Sequence, residues 1–179
     1  MRPPLTILAA IAVFAAAVPV SAALPVGAKA PDFQTSGAIA GKPFKLRLAE
    51  QLRNGPVVLY FFPKAFTAGC TAEAHAFSEA TKDFKAAGAR VIGLSADDLP
   101  TLQKFSVEAC RNAFPVATAS PAMIKAYDVA LPLPGKSVNL TNRTSYVVAR
   151  DGKIVMVHSE MDWKDHVTKS LAAVQALKH

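Results

Sequence analysis

Cysteine is the scarcest chemically useful residue in this chain: Cys70 and Cys110 are the only two among 179 residues. Two cysteines cannot form a disulfide-rich framework. They lie 40 residues apart, so the chain has no C-x-x-C dithiol, no C-x-x-C-H haem attachment and no C-x-x-x-C copper-carrier pair. Histidine is sparse as well. His75, His158, His166 and His179 show no metal-ligand spacing. Neither basic tracts nor interleaved aromatics occur. The formal charge of +7 is scattered, which reads as a solvated surface and argues against a nucleic-acid partner. Repeats and low-complexity segments are missing, and the single tryptophan, Trp163, reads as a packing residue ahead of the last helix.

What is present begins with an export pattern. Arg2 is a short positive segment, Leu5 to Val18 is an uncharged apolar run, and Ser21-Ala22-Ala23 supplies small residues at a cleavage position. Residues 1–23 are expected to be a signal peptide and 24–179 a single domain. The apolar run is too short for a confident membrane span. No cysteine lies near the cleavage region, so lipid attachment is not expected. The protein is expected to be periplasmic or secreted, with no membrane span after signal removal.

The leading segment Leu24 to Phe33 is punctuated by prolines. Phe44 to Leu48 alternates as a short strand does. Val57 to Phe62 is a continuous apolar run with β-branched and aromatic residues, which predicts a strand buried on both faces. Thr71 to Ala87 places Phe77, Ala80 and Phe84 on one helical stripe, closed by Gly88. A second buried strand spans Ala89 to Ser95. Asp97 or Asp98 caps a helix expected to reach about Asn112, with Leu102, Phe105 and Ala109 inward. Phe114 to Thr118 reads as a strand, Pro121 to Tyr127 as one or two helical turns, and Ala130 to Thr144 as a surface loop. Arg150-Asp151-Gly152 joins Ser145–Ala149 to Lys153–His158 as a hairpin. Asp165 to Leu177 is a final amphipathic helix with Val167, Leu171, Val174 and Leu177 on one stripe. This order predicts an α/β fold, a central mixed sheet flanked by helices, in a thioredoxin-like arrangement.

Cys70 falls between the strand ending at Phe62 and the helix that follows. The first turn of a helix has free N–H groups and a partial positive charge, which favour a thiolate. A buried structural cysteine fits the same placement, and the position alone leaves both readings open.

The residues around it resemble a known family. Pro63-x-x-x-Thr67-x-x-Cys70 is similar to the active-site pattern of peroxiredoxins. Tyr60-Phe-Phe-Pro63-Lys, Cys70-Thr-Ala-Glu73-Ala, Ala30-Pro31-Asp32-Phe33 and Asn142-Arg143-Thr144-Ser-Tyr-Val-Val resemble the bacterioferritin comigratory protein, or PrxQ, subfamily. The resemblance runs from about Val26 to Leu177. It implies a thiol-dependent peroxidase that reduces hydrogen peroxide and organic hydroperoxides, needs no cofactor or metal, and takes electrons from a thioredoxin-like or other thiol reductant. Cys70 would attack the peroxide as thiolate and become a sulfenic acid. The Thr67 hydroxyl and the Cys70 N–H would bind the peroxide oxygens. Arg143 would supply fixed positive charge, Pro63 would shield the sulfur, and Glu73 would orient an arginine. Taken singly, Thr67 is a turn or cap residue, Arg143 a surface charge and Glu73 a first-turn acid.

The chain departs from the pattern in one place. Many subfamily members carry a resolving cysteine five residues after the first, where this sequence has His75, read as a solvated histidine. Cys110, late in the helix expected to begin near Leu99, is the candidate resolving residue, and a core-packing role suits it equally. Without it, an outside thiol must act. Resolution through a C-terminal cysteine is not expected. Asn139 and Asn142 match the glycosylation pattern by chance. A monomer or weak dimer is expected. The rival enzyme class is a thiol-disulfide oxidoreductase of the same fold, which would need the missing C-x-x-C.

Overall fold

The computed structural model describes residues 23–131 and 140–177. The signal-peptide reading, apart from Ala23, and the expectations for Asn139, His179 and the middle of the 130–144 segment lie outside the described residues.

Seven strands form one sheet: β1 (Gln34–Ile39), β2 (Lys42–Arg47), β3 (Val57–Phe61), β4 (Arg90–Ser95), β5 (Val116–Thr118), β6 (Thr144–Val148) and β7 (Ile154–Ser159). Their spatial order is β2-β1-β5-β4-β3-β6-β7. β3 pairs parallel with β4 and β4 with β5, while β1–β2, β1–β5, β3–β6 and β6–β7 are antiparallel. The helices are α1 (Leu48–Leu52), α2 (Ala68–Ala86), α3 (Leu99–Glu108), α4 (Pro121–Ala126) and α5 (Lys164–Ala176). The β3-α2-β4 unit and the β6-β7-α5 unit give the thioredoxin-like α/β arrangement expected. No helix among the described residues is long and apolar enough to cross a membrane.

β3 explains why its sequence is apolar without a break. Alternate side chains of a strand point to opposite faces. Val57, Leu59 and Phe61 join a core with α1 and α4, through Leu48, Leu52, Met123 and Ile124. Val58 and Tyr60, with Phe62, join a second core with α2, α3 and α5, through Phe77, Phe84, Leu102, Phe105 and Val174. Each fully buried large side chain contributes roughly 1.5–3 kcal/mol. The strand end at Phe61 is thereby held between the two cores, and the segment that follows it leads to Cys70.

Several elements differ from expectation. The β1–β2 hairpin spans Gln34–Arg47, two strands where the single strand Phe44 to Leu48 was expected, because Ala40 (φ 50°) and Gly41 (φ 75°) take the left-handed turn such hairpins require. α2 begins at Ala68, three residues before Thr71, with Thr67 at its N-cap. α3 ends at Glu108, short of Asn112. Arg111 and Asn112 are left-handed (φ 50° and 60°), and the Cys110 and Asn112 N–H groups turn back to the Phe105 and Ser106 carbonyls at 3.0 Å. Cys110 therefore lies in a turn beyond the helix. Asp98 is the cap of α3, its carboxylate accepting from the Thr101 N–H at 2.9 Å.

The expected surface loop 130–144 turns inward at its C-terminal end. Thr141, Arg143 and Thr144 are buried, and Thr141 Oγ1 donates to the Phe62 carbonyl at 2.7 Å. In α5 the buried stripe is His166, Ser170 and Val174. Val167 and Leu171 pack partly buried beside it, and Leu177 is exposed. His166 faces inward because both its ring nitrogens find hydrogen-bonding partners, Ser145 Oγ at 2.8 Å and the Glu160 carbonyl at 2.9 Å.

Candidate active site

The segment between β3 and α2 is pinned from below. The Phe62 N–H donates to the Leu94 carbonyl at 2.9 Å. Three residues on, the Ala65 N–H donates to Asp97 Oδ2 at 2.7 Å, and Ser95 Oγ donates to the same oxygen at 2.8 Å. Phe66 takes a left-handed conformation (φ 64°), uncommon for a bulky residue, and its ring meets Phe105 edge-on at 5.2 Å. Pro63 is half-buried and Thr67 exposed. Thr67 Oγ1 donates to the Lys64 carbonyl at 3.0 Å, which leaves its oxygen free to accept.

Cys70 is the third residue of α2, in the first turn, and is 1% exposed. Arg143 reaches it from the segment leading into β6. Its Nη2 lies 3.5 Å from Cys70 Sγ, its Nη1 donates to Glu73 Oε2, and its Nε donates to the Met161 carbonyl at 2.9 Å. The planar fork thus spans a thiol, a carboxylate and a carbonyl, a task one ammonium cannot do. Gly69 makes the approach feasible: a Cβ there would stand 3.2 Å from Arg143 Nη2 and 3.9 Å from Trp163 Cδ1.

Burial works against the Arg143 charge, yet Glu73 and then Cys70 outweigh it, so its pKa is raised above the ordinary value. Burial pushes the Glu73 carboxyl up to about 8, against the pull of Arg143. Behind Glu73 stands His166, fully buried, its Nδ1 3.7 Å from Glu73 Oε1. Burial lowers its pKa to about 4, which keeps the ring neutral.

Thus Cys70, Arg143 and Glu73 converge, with Thr67 and Pro63 at the rim. His75 is half-buried. Cys110 shares the apolar cluster of Cys70 and is fully buried; both cysteines are free thiols. Burial pushes the Cys110 thiol up, which the nearby Tyr60 hydroxyl partly offsets. Asn142 is half-buried and its side-chain oxygen accepts from Thr144 Oγ1 at 2.7 Å. No metal-binding cluster of His, Cys, Asp or Glu exists among the described residues. Sequence assigned no site role to Gly69, Ser145 or His166, and it placed Asp97 only as a candidate helix cap. For His166 the one available signal was its place on the 166-170-174 stripe of α5.

A profile of the AhpC/TSA family matches residues 26–157. The chain belongs to the AhpC/TSA family of peroxiredoxins. A putative peroxiredoxin of Mycobacterium tuberculosis is 34% identical over 134 residues, covering 74% of this chain and 86% of that protein. A peroxiredoxin Bcp of Xanthomonas campestris is 31% identical over 123 residues, 67% of this chain and 76% of its own length. Among solved structures, peroxidoxin BcpB of M. tuberculosis superposes with a TM-score of 0.77 at 32% identity, over 86% of this chain and 98% of that one. This peroxiredoxin is accordingly a thiol-dependent peroxidase.

Proposed function

We propose that Cys70 is the peroxidatic cysteine of an exported peroxiredoxin of the bacterioferritin comigratory protein type. The observation that carries the site is the Arg143 fork, which places one guanidinium on both Cys70 Sγ and Glu73. The thiolate attacks the terminal peroxide oxygen. The S–O bond forms as the O–O bond breaks, the departing oxygen takes a proton, and Cys70 becomes a sulfenic acid while the peroxide leaves as water or an alcohol. Charge moves from sulfur to oxygen in that step, and fixed donors aimed at the oxygen lower the barrier. Arg143 and the Cys70 N–H supply them, with Thr67 at the helix N-cap, its oxygen open to the peroxide O–H. Pro63 screens the sulfur from bulk water, and Glu73 holds the arginine.

A thiol then displaces water from the sulfenic acid and forms a disulfide. Cys110 is the candidate resolving residue. Its support is a shared apolar cluster with Cys70 and a left-handed turn, rather than helix, around it. An outside thiol of a thioredoxin-like reductant serves otherwise and also reduces the product. Export to the periplasm is supported by Arg2, the apolar run Leu5 to Val18 and Ser21-Ala22-Ala23.

Intact mass and peptide mapping of the reduced protein after one equivalent of hydrogen peroxide test the assignment. A sulfenic acid or disulfide at Cys70 is expected. An unmodified Cys70 alongside rapid peroxide loss would remove it from the role.

A further inference from the structure

We propose that Glu73 and His166 together retain one proton while Cys70 is a thiolate, and that this proton keeps the Arg143 charge directed at the sulfur. His166 is then a positioning residue that acts through Glu73 and Arg143. The inference rests on the peroxidatic reading of Cys70 and goes beyond it.

The hydrogen bonds around His166 define its state. Its Nε2 lies 2.9 Å from the Glu160 carbonyl, and a carbonyl only accepts, so Nε2 carries a hydrogen. Its Nδ1 lies 2.8 Å from Ser145 Oγ. In the neutral ring Nδ1 is bare and accepts from that hydroxyl. Both nitrogens are thereby satisfied without Glu73.

Glu73 is not satisfied in this way. One oxygen takes the Arg143 N–H; the other, Oε1, is buried with no hydrogen-bond donor among the described residues and lies 3.7 Å from His166 Nδ1. An ionised carboxylate in that position leaves a charged acceptor unpaired, which is costly when buried. One proton on Oε1 removes the conflict. The carboxyl is then neutral beside the partly negative Nδ1, which repels a carboxylate, and Oε2 still accepts from Arg143.

The charge balance of the pocket also favours a protonated Glu73. Cys70, Arg143 and Glu73 are all at most 5% exposed. A thiolate and a guanidinium balance, and an ionised Glu73 would make a second buried anion against one cation.

The surrounding groups decide where the proton sits. Cys70 shares α2 with Glu73; Tyr60 faces them from β3 and feels both. Arg143 approaches ahead of β6. His158, on β7, lies against His166 with ring centres 4.5 Å apart and the rings tilted by 54°, and Lys169 of α5 reaches His158 Nδ1 at 3.4 Å. Glu160 and Asp165 act on His158, and Asp162 interacts with Arg143. Arg143, Lys169 and His158 all oppose a positive charge on His166. The proton therefore resides on Glu73, in agreement with a carboxyl raised to about 8.

Carboxyl NMR of glutamate-labelled, reduced protein tests this directly, titrated from about pH 4 to about pH 10, with Glu73→Gln assigning the signal. The Glu73 midpoint is expected near 8, apart from the exposed glutamates. Cys70→Ser, which removes the thiolate, should lower that midpoint by about one pH unit or more. His166→Leu, which removes the nitrogen facing Oε1, should lower it as well. Stopped-flow oxidation of the wild type should slow by about tenfold through the same midpoint, and Glu73→Gln should lack that alkaline limb. A Glu73 midpoint in the ordinary carboxylate range in wild type and Cys70→Ser alike overturns the proposal while rapid peroxide reduction leaves the peroxidase reading intact. Should Cys70 fail to react at any pH, that reading falls and the carboxyl midpoint still decides the proton. If His166→Leu does not fold, the wild type and Cys70→Ser decide it.

Discussion

Arg143 Nη2 lies 3.5 Å from Cys70 Sγ across the Cα of Gly69, at the first turn of α2. The two residues are 73 positions apart in sequence, and in the mechanism we propose the reactivity of the sulfur depends on their contact.

Removing the fork should disable the peroxidase more than it harms the fold. Arg143→Ala and Arg143→Lys are both expected to slow Cys70 oxidation by roughly 100-fold or more, the cost of losing one preorganised donor at a developing charge. Lysine cannot hold Glu73, the Met161 carbonyl and the thiol together. Stopped-flow rates with circular dichroism check this; near-normal rates in a folded variant would falsify the role of Arg143.

Gly69→Ala should separate activity from stability. The new methyl stands 3.2 Å from Arg143 Nη2, so the guanidinium must give by a few tenths of an ångström and its aim at the sulfur changes. Oxidation should slow by about tenfold. Helix propensity favours alanine by roughly 0.5–1 kcal/mol, so the melting temperature should not fall. An unchanged rate constant would show that the close approach is irrelevant.

Cys110→Ala should leave the first oxidation of Cys70 at its wild-type rate, because the hydrogen bonds of Arg143 go to Cys70, Glu73 and Met161 and the proposed peroxide donors do not include Cys110. Peptide maps should then contain no Cys70–Cys110 disulfide, and excess peroxide should carry Cys70 further, to the sulfinic acid. A wild-type protein that never forms this disulfide would return Cys110 to core packing.

Asp97→Ala should loosen the segment that carries Pro63 and Thr67. The Ala65 N–H at 2.7 Å would lose its acceptor, at a cost of about 1–3 kcal/mol. Thermal melts and oxidation rates should both decline, and a variant that melts as the wild type does would rule out the pin.

Stability should bend with pH in opposite directions for the two buried titrating groups. His166, lowered to about 4, binds fewer protons folded than unfolded. Its contribution is present above the ordinary histidine value, about 6.5, and is lost as pH falls toward 4. Glu73, raised to about 8, binds more protons folded. Its contribution is present below the ordinary glutamate value and is lost as pH rises toward 8. The two slopes oppose each other at mildly acidic pH. Between about 6.5 and 8 the Glu73 slope stands alone, at up to about 1.4 kcal/mol per pH unit. Urea titrations should show this decline in wild type and not in Glu73→Gln.

The strand-turn-helix around Cys70 was legible because its signals are local. An unbroken apolar run means burial on both faces, and Phe77 and Phe84 share one helical face whatever else surrounds them. The β6–β7 hairpin was legible from Asp151-Gly152 for the same reason. α3 was read too long because its composition stays helical to Asn112, whereas the Cys110 and Asn112 N–H groups turn back to carbonyls already placed by the helix, with Arg111 and Asn112 left-handed. The 130–144 segment looked like surface because proline, glycine and asparagine carry no record of an arginine's buried partner.

By itself the sequence determined the family, the helix-start position of Cys70 and the candidacy of Thr67, Arg143, Pro63 and Glu73, since motif spacing and periodicity are properties of neighbouring residues. Only the tertiary structure decided that Arg143 bridges Cys70 and Glu73, that Gly69 leaves room for it, that Asp97 pins the loop, and that His166 closes the far side of the carboxylate. Those relations join α2, β4, β6 and α5, whose proximity arises from the order of strands in the sheet and leaves no periodic trace along the chain.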